Sequence, residues 1–212
     1  MNLKGFIFDL DGVVVFTDKL HYRAWKSLSD RLGIYFDEKI NERLKGVSRA
    51  DSLEIILERY SGKPFTKEEK EELMTEKNEY YKSLLMTMDR GSVEPEIRET
   101  LETLKNRGFK LAIGSSSRNA KLILKQTELD EFFDAVSDGN NIKKSKPDPE
   151  VFLKAAAMLG LKPDECAVVE DAEAGIKAVK AGGMVAIGTG NARLCTECDV
   201  RIERLGELLL LK

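Results

Sequence analysis

The chain has 212 residues, with 34 Lys and Arg against 37 Asp and Glu and a formal net charge of -3. A hydrophobic share of 42% beside 33% charged residues excludes a disordered chain, and the near balance of charge argues against a nucleic-acid partner. One histidine excludes metal centres built from several imidazoles and leaves chemistry based on carboxylates, lysine and hydroxyls.

The first residues run straight into a short apolar strand, Gly5-Phe6-Ile7-Phe8, with no signal-peptide pattern. Further strands are expected at Lys110-Leu111-Ala112-Ile113, Ala135-Val136, Ala167-Val168-Val169, Met184-Val185-Ala186-Ile187 and Val200-Arg201-Ile202. Helical patterns at Pro95 to Arg107, Arg118 to Gln126, Pro149 to Leu159 and Ala172 to Ala181 separate them, with Gly108, Gly160 and Gly182 placed as C-terminal glycines. Such alternation predicts a doubly wound, Rossmann-like parallel α/β sheet.

The alternation fails from about Phe16 to Met86, where helices are expected at Glu38 to Leu44, Arg49 to Tyr60 and Lys67 to Leu85. The pattern therefore predicts a core of residues 1–15 and 87–212 interrupted by a small α-helical cap of residues 16–86. The charged run from Lys63 to Glu79 reads as a solvated helix face, and Ser48 as the N-cap that puts Arg49 in a helix's first turn. At the other end, Leu208 to Leu211 is too short to cross a bilayer and is expected as a terminal helix on the core. A cytoplasmic protein with no membrane partner follows as the expectation.

Cys166, Cys195 and Cys198 are odd in number and lack the spacing of a disulfide framework. The Cys195-Thr-Glu-Cys198 pair lacks partners for zinc and lies too late for a thioredoxin-type motif, so two ordinary surface thiols are expected. A P-loop is absent, and Gly188-Thr189-Gly190-Asn191-Ala192-Arg193 lacks the third glycine of a dinucleotide fingerprint.

Ligands of open parallel sheets bind at the carboxyl ends of the strands. Those ends carry Asp9-Leu10-Asp11-Gly12, Ser115-Ser116-Ser117, Lys146-Pro147 and Glu170-Asp171. Asp9, Asp11, Glu170 and Asp171 make an oxygen-only set suited to a hard cation such as Mg²⁺. With a lysine and hydroxyls beside it, the set fits phosphoryl transfer, in which a carboxylate can also serve as nucleophile.

These four segments, in this order, resemble the motifs of the haloacid dehalogenase superfamily, and the resemblance spans nearly the whole chain. The helical insert resembles the small cap of its first subclass. Thr17, His21-Tyr22-Arg23-Ala24-Trp25-Lys26, Leu44-Lys45-Gly46-Val47-Ser48-Arg49, Ser52 and Lys77-Asn78 resemble the cap of its sugar-phosphate mutases.

The resemblance implies Asp9 as nucleophile, Asp11 as general acid/base, and Ser115 and Lys146 as holders of the transferring phosphoryl group. It implies Mg²⁺ on Asp9, Asp11 (through its backbone carbonyl), Glu170 and Asp171. Arg49, Ser117 and Asn119 are implied to hold a second phosphate, and Thr17, His21, Lys45 and Lys77 to couple the sugar to cap closure. Trp25, Gly46, Ser52, Ser116 and Arg118 complete the implied substrate positions. The implied activity interconverts β-glucose 1-phosphate and glucose 6-phosphate through a bisphosphate, in a monomer whose partners are small sugar phosphates. A sugar phosphatase with the same site is the alternative. Phe16 and Ala172 depart from the pattern, at a hinge polar residue and at a serine after the acid pair.

Overall fold

The computed structural model describes residues 2–44 and 47–211. Lys45 and Gly46, both expected in the substrate site, lie outside the described residues. In chain order the elements are β1 (Gly5–Phe8), α1 (Asp18–Arg31), α2 (Glu38–Glu42), α3 (Arg49–Leu57) and α4 (Lys67–Leu85). Then follow α5 (Pro95–Asn106), β2 (Lys110–Gly114), α6 (Ala120–Gln126), β3 (Ala135–Ser137) and α7 (Glu150–Met158). The last are β4 (Cys166–Glu170), α8 (Glu173–Ala181), β5 (Val185–Gly188) and β6 (Val200–Arg201). They fall into two compact units, Met1–Phe16 with Met88–Lys212, and Thr17–Thr87.

The first unit is a parallel six-stranded sheet of order β3-β2-β1-β4-β5-β6. Every residue of β1 and β4 is buried, which is why Gly5–Phe8 and Cys166–Val169 read as unbroken apolar runs rather than alternating ones. Pairing of Phe8 with Ile113 on one side and Val169 on the other sets the register. The next residues, Asp9, Gly114 and Glu170, therefore emerge at one level. The chain passes from β1 to β2 on one side and later to β4 on the other, so β1 and β4 flank the switch point of the sheet. Val151, Phe152 and Ala155 of α7 and Ile176 and Val179 of α8 pack with Ile7, Ala112 and Val168 of the strands. Each fully buried Val, Ile or Phe among them contributes about 1.5–3 kcal/mol.

Gly108, Gly160 and Gly182 stand at helix ends as expected: Gly108 and Gly160 take positive φ angles of 86° and 68°, and Gly182 is the C-cap of α8, followed by the left-handed Gly183 (φ 71°). The terminal leucines form a 3₁₀ helix, Leu205–Leu210, that packs on α5 through buried Leu205 and Leu208 and leaves Leu210 exposed. Cys198 is not a surface thiol. It is buried and donates its S–H to the carbonyl of Ala192 at 3.1 Å.

The second unit is helical, with a core of Trp25, Leu28, Phe36, Ile40, Leu53, Ile56 and Leu73. Thr66 and Glu69 close a capping box on α4, and Ser48 caps α3 by accepting the N–H of Asp51 at 3.2 Å. Arg49 is thus the first residue of α3. The buried positions of α4 are Leu73, Lys77, Tyr81, Leu84 and Leu85, a stripe at helical spacing. Lys77 lies on that stripe between Leu73 and Tyr81, so the solvated-face reading of Lys63 to Glu79 fails there. Among the described residues no helix is long and apolar enough to cross a membrane.

Candidate active site

In the sheet unit, Asp9 follows β1 and donates its N–H to Val169 at 2.9 Å, continuing the sheet bond by one residue. The chain then turns tightly: Gly12 donates to the carbonyl of Val15 at 2.7 Å, and Val14 and Val15 both donate to that of Leu10. Gly12 has φ 87°, and a Cβ there would lie 2.1 Å from Asp171 Oδ2. Only glycine fits both the backbone angle and the approach of that carboxylate. A second seat lies under Glu170: a Cβ on Gly175 of α8 would stand 1.9 Å from Glu170 Oε1.

Lys146 arrives from the loop before α7. Its Nζ donates to Asp9 Oδ1 at 2.5 Å and to Glu170 Oε2 at 3.1 Å, and lies 4.7 Å from the centre of the Phe152 ring. Burial opposes the charge on Lys146, but Asp9 and Glu170 outweigh it and hold the ammonium above the ordinary lysine range. Burial, together with the negative charges of Asp9 and Asp171, pushes Glu170 well above the ordinary carboxylate range, against the pull of Lys146.

Asp9, Glu170 and Asp171 offer oxygens that all lie within 4.8 Å of one another. Three gathered carboxylates facing one ammonium are short of positive charge, and an all-oxygen set fits a hard divalent cation. The Asp11 side chain is not part of this cluster among the described residues.

Ser115 is buried at the end of β2, where its Oγ accepts the N–H of Ser117 at 3.1 Å. Ser117 repeats the turn on Asn119 at 3.2 Å. Ser116 and Arg118 are exposed, and Asn119 is buried.

The helical unit gathers a different set. Lys77 Nζ lies 3.0 Å from His21 Nδ1 and 4.7 Å from the ring centres of both Trp25 and Tyr81. His21 and Tyr81 stack with their rings 4.0 Å apart. Burial first, then the charges of Lys77 and Arg49, hold His21 well below the ordinary imidazole range. His21 is therefore neutral and accepts from Lys77 at Nδ1. Arg49 donates from Nη2 to Asn78 Oδ1 at 2.8 Å. Ser52 is buried on α3, and Thr17 precedes α1, its carbonyl accepting the N–H of Leu20 and His21.

The structure thus brings Asp9, Lys146, Glu170 and Asp171 together in one unit, and His21, Trp25 and Lys77 in the other. Sequence reasoning passed over Tyr81 and Phe152, the two rings beside the lysines. Tyr81 carries a signal, since it lies four residues after Lys77 on one helix face. Phe152 carries none.

Residues 3–183 match the model of the haloacid dehalogenase-like hydrolases. The chain belongs to that family. The β-phosphoglucomutase of Bacillus subtilis is 43% identical over 98% of this chain and 92% of its own length. The phosphorylated carbohydrates phosphatase of Thermotoga maritima is 30% identical over 86% of this chain and 82% of its own. Among solved structures, β-phosphoglucomutase from Clostridium difficile superposes with a TM-score of 0.87 at 38% identity, covering 97% of this chain and 93% of that one. Membership of the haloacid dehalogenase-like family, with relatives of this kind, makes the chain an enzyme of phosphoryl-transfer type.

Proposed function

We propose that this enzyme is a β-phosphoglucomutase that interconverts β-glucose 1-phosphate and glucose 6-phosphate, working as a cytoplasmic monomer on free sugar phosphates. The observation that carries the reading is that each unit holds its own cations, Lys146 in the sheet unit and Arg49 and Lys77 in the helical unit. A bisphosphate has two phosphates to hold, whereas hydrolysis of a monoester needs one site. The 43% identity to the Bacillus subtilis mutase supports the same choice.

In this mechanism Asp9 attacks the phosphorus of the bound sugar phosphate and becomes an aspartyl-phosphate. Asp11 gives a proton to the departing sugar oxygen and later takes one from the hydroxyl that attacks the phosphoenzyme. Lys146 and Ser115 hold the equatorial oxygens of the group in flight. Asp9, Glu170, Asp171 and the carbonyl of Asp11 would hold Mg²⁺, which when bound would supply neutralisation of charge on the phosphoryl oxygens.

Residues 17–87 act as a cap on the core of residues 1–16 and 88–212. Arg49, with Ser117 and Asn119, grips the phosphate that is not being transferred, as a planar guanidinium does best. Lys77, His21, Thr17, Trp25 and Ser52 make the cap's share of the sugar site. Closure keeps water from the phosphoenzyme while the bisphosphate turns around.

The Arg49→Ala variant tests the reading. Isomerisation of β-glucose 1-phosphate is expected to fall by about 10²-fold, with hydrolysis of a small phosphate ester changed by less than about threefold. Equal losses in the two assays contradict the assignment of Arg49 to a second phosphate.

A further inference from the structure

We infer that Glu150 is a positioning residue for Lys146, holding the backbone of the loop from which that lysine reaches Asp9. The inference rests on the phosphoryl-transfer reading above and adds a residue that lies outside the strand ends.

Glu150 opens α7. Its Oε2 accepts two backbone N–H groups, from Lys143 at 2.9 Å and Lys144 at 2.8 Å, and its Oε1 pairs with Lys154 at 3.0 Å. Asp148 tightens the same loop, accepting the N–H of Glu150 at 3.0 Å and donating its own to Ser145 at 3.1 Å. Lys146 lies inside the loop that these bonds close. An acid in a first helical turn ordinarily serves the helix dipole alone. Here both bonds on one oxygen go backwards along the chain, to residues seven and six positions earlier. Lys154 and the two N–H groups push the Glu150 carboxyl down to about 2, so it remains a charged acceptor at neutral pH.

Geometry explains why the anchor matters. The lysine side chain is long and flexible, and Nζ must lie within hydrogen-bond reach of Asp9 and Glu170 at once. The Phe152 ring under that ammonium also belongs to α7, two residues beyond Glu150. One short helix thus supplies both the tether of the loop and the surface against which its lysine lies. A misplacement of about 1 Å at a group contacting the phosphoryl oxygens costs on the order of 10²-fold in rate.

The test is a double-mutant cycle on the Mg²⁺-loaded enzyme, with β-glucose 1-phosphate as substrate. Glu150→Ala is expected to lower kcat by roughly 30-fold or more with KM within about threefold, and Glu150→Gln, whose amide oxygen still accepts, to keep kcat within about fivefold. In a Lys146→Ala background, Glu150→Ala is expected to add less than about threefold, because its effect runs through the missing lysine. Losses that multiply in the double variant, or a kcat for Glu150→Ala equal to that of the parent, overturn the inference. Should Glu150→Ala fail to fold, Glu150→Asp, one methylene shorter, is read by the same cycle. A parent enzyme that moves no phosphoryl group from any sugar phosphate overturns the reading of the site itself, and the inference with it. An active parent with an indifferent Glu150 overturns the inference alone.

Discussion

The side chain of Lys146, 11% exposed, lies beside Asp9 and Glu170, and its charge makes that crowding of carboxylates tolerable. Removing the ammonium leaves the acids facing one another and, in the proposed mechanism, leaves Ser115 alone to hold the phosphoryl oxygens. Lys146→Ala is therefore expected to reduce turnover by about 10²–10³-fold, the usual cost of losing a donor to developing negative charge. Asp9→Asn is expected to remove at least ~10³-fold, since the amide is no nucleophile; full activity in that variant contradicts the covalent route. The glycine seats make a separate prediction. Gly175→Ala forces Glu170 from its place, because the new Cβ would lie 1.9 Å from Oε1. Affinity for Mg²⁺ is expected to weaken by about 10–100-fold, read as a smaller rise in Tm on adding the ion. An unchanged rise in Tm contradicts the role given to Glu170.

At the scale of elements, α4 shows how a charged sequence can hide a buried face. Its lysine stem lies on the apolar stripe with Leu73 and Tyr81, and the ammonium ends on His21 and two aromatic rings. His21, half-buried, is desolvated and faces the charges of Lys77 and Arg49, so its proton affinity in the fold lies well below the ordinary value of 6.5. The unfolded chain binds the proton more readily, so the contribution of His21 to stability is fully present above pH 6.5 and is lost as pH falls towards its folded-state value. Hydrogen exchange in residues 17–87 is expected to accelerate as pH drops from 6.5 towards ~5, after correction for the intrinsic rate. His21→Gln is expected to flatten that slope, and a slope left unchanged contradicts the neutral, desolvated imidazole.

The same elements show what could be read in advance. The strands were legible because β1 and β4 are buried on both faces, so Gly5–Phe8 and Cys166–Val169 are apolar without a break. In a parallel sheet the residues just after such runs emerge together, which is how Asp9, Ser115 and Glu170 could be grouped from the chain alone. Burial of Lys77 was not legible, because the residue type outweighed the helical spacing in the reading. The 3₁₀ form of Leu205–Leu210 was not either, since a leucine run does not state its own pitch. Glu150 looked like an ordinary helix-start acid, and its two backbone bonds depend on a loop whose path no periodicity describes.

For the whole molecule, the division into Met1–Phe16 with Met88–Lys212 and Thr17–Thr87 puts Lys146 and the acids in one unit and Arg49 and Lys77 in the other. That division is the basis for choosing a mutase over a phosphatase, since both use the same acids and lysine. The relatives include both kinds, a mutase at 43% identity and a carbohydrate phosphatase at 30%. The deciding quantity is the fate of the phosphoryl group once it has left the sugar. The most direct measurement supplies β-glucose 1-phosphate with a trace of glucose bisphosphate and Mg²⁺, and counts glucose 6-phosphate formed against inorganic phosphate released. The account predicts isomer in excess over phosphate by at least ~10²-fold. Phosphate released at the rate of substrate loss, with no isomer formed, contradicts it.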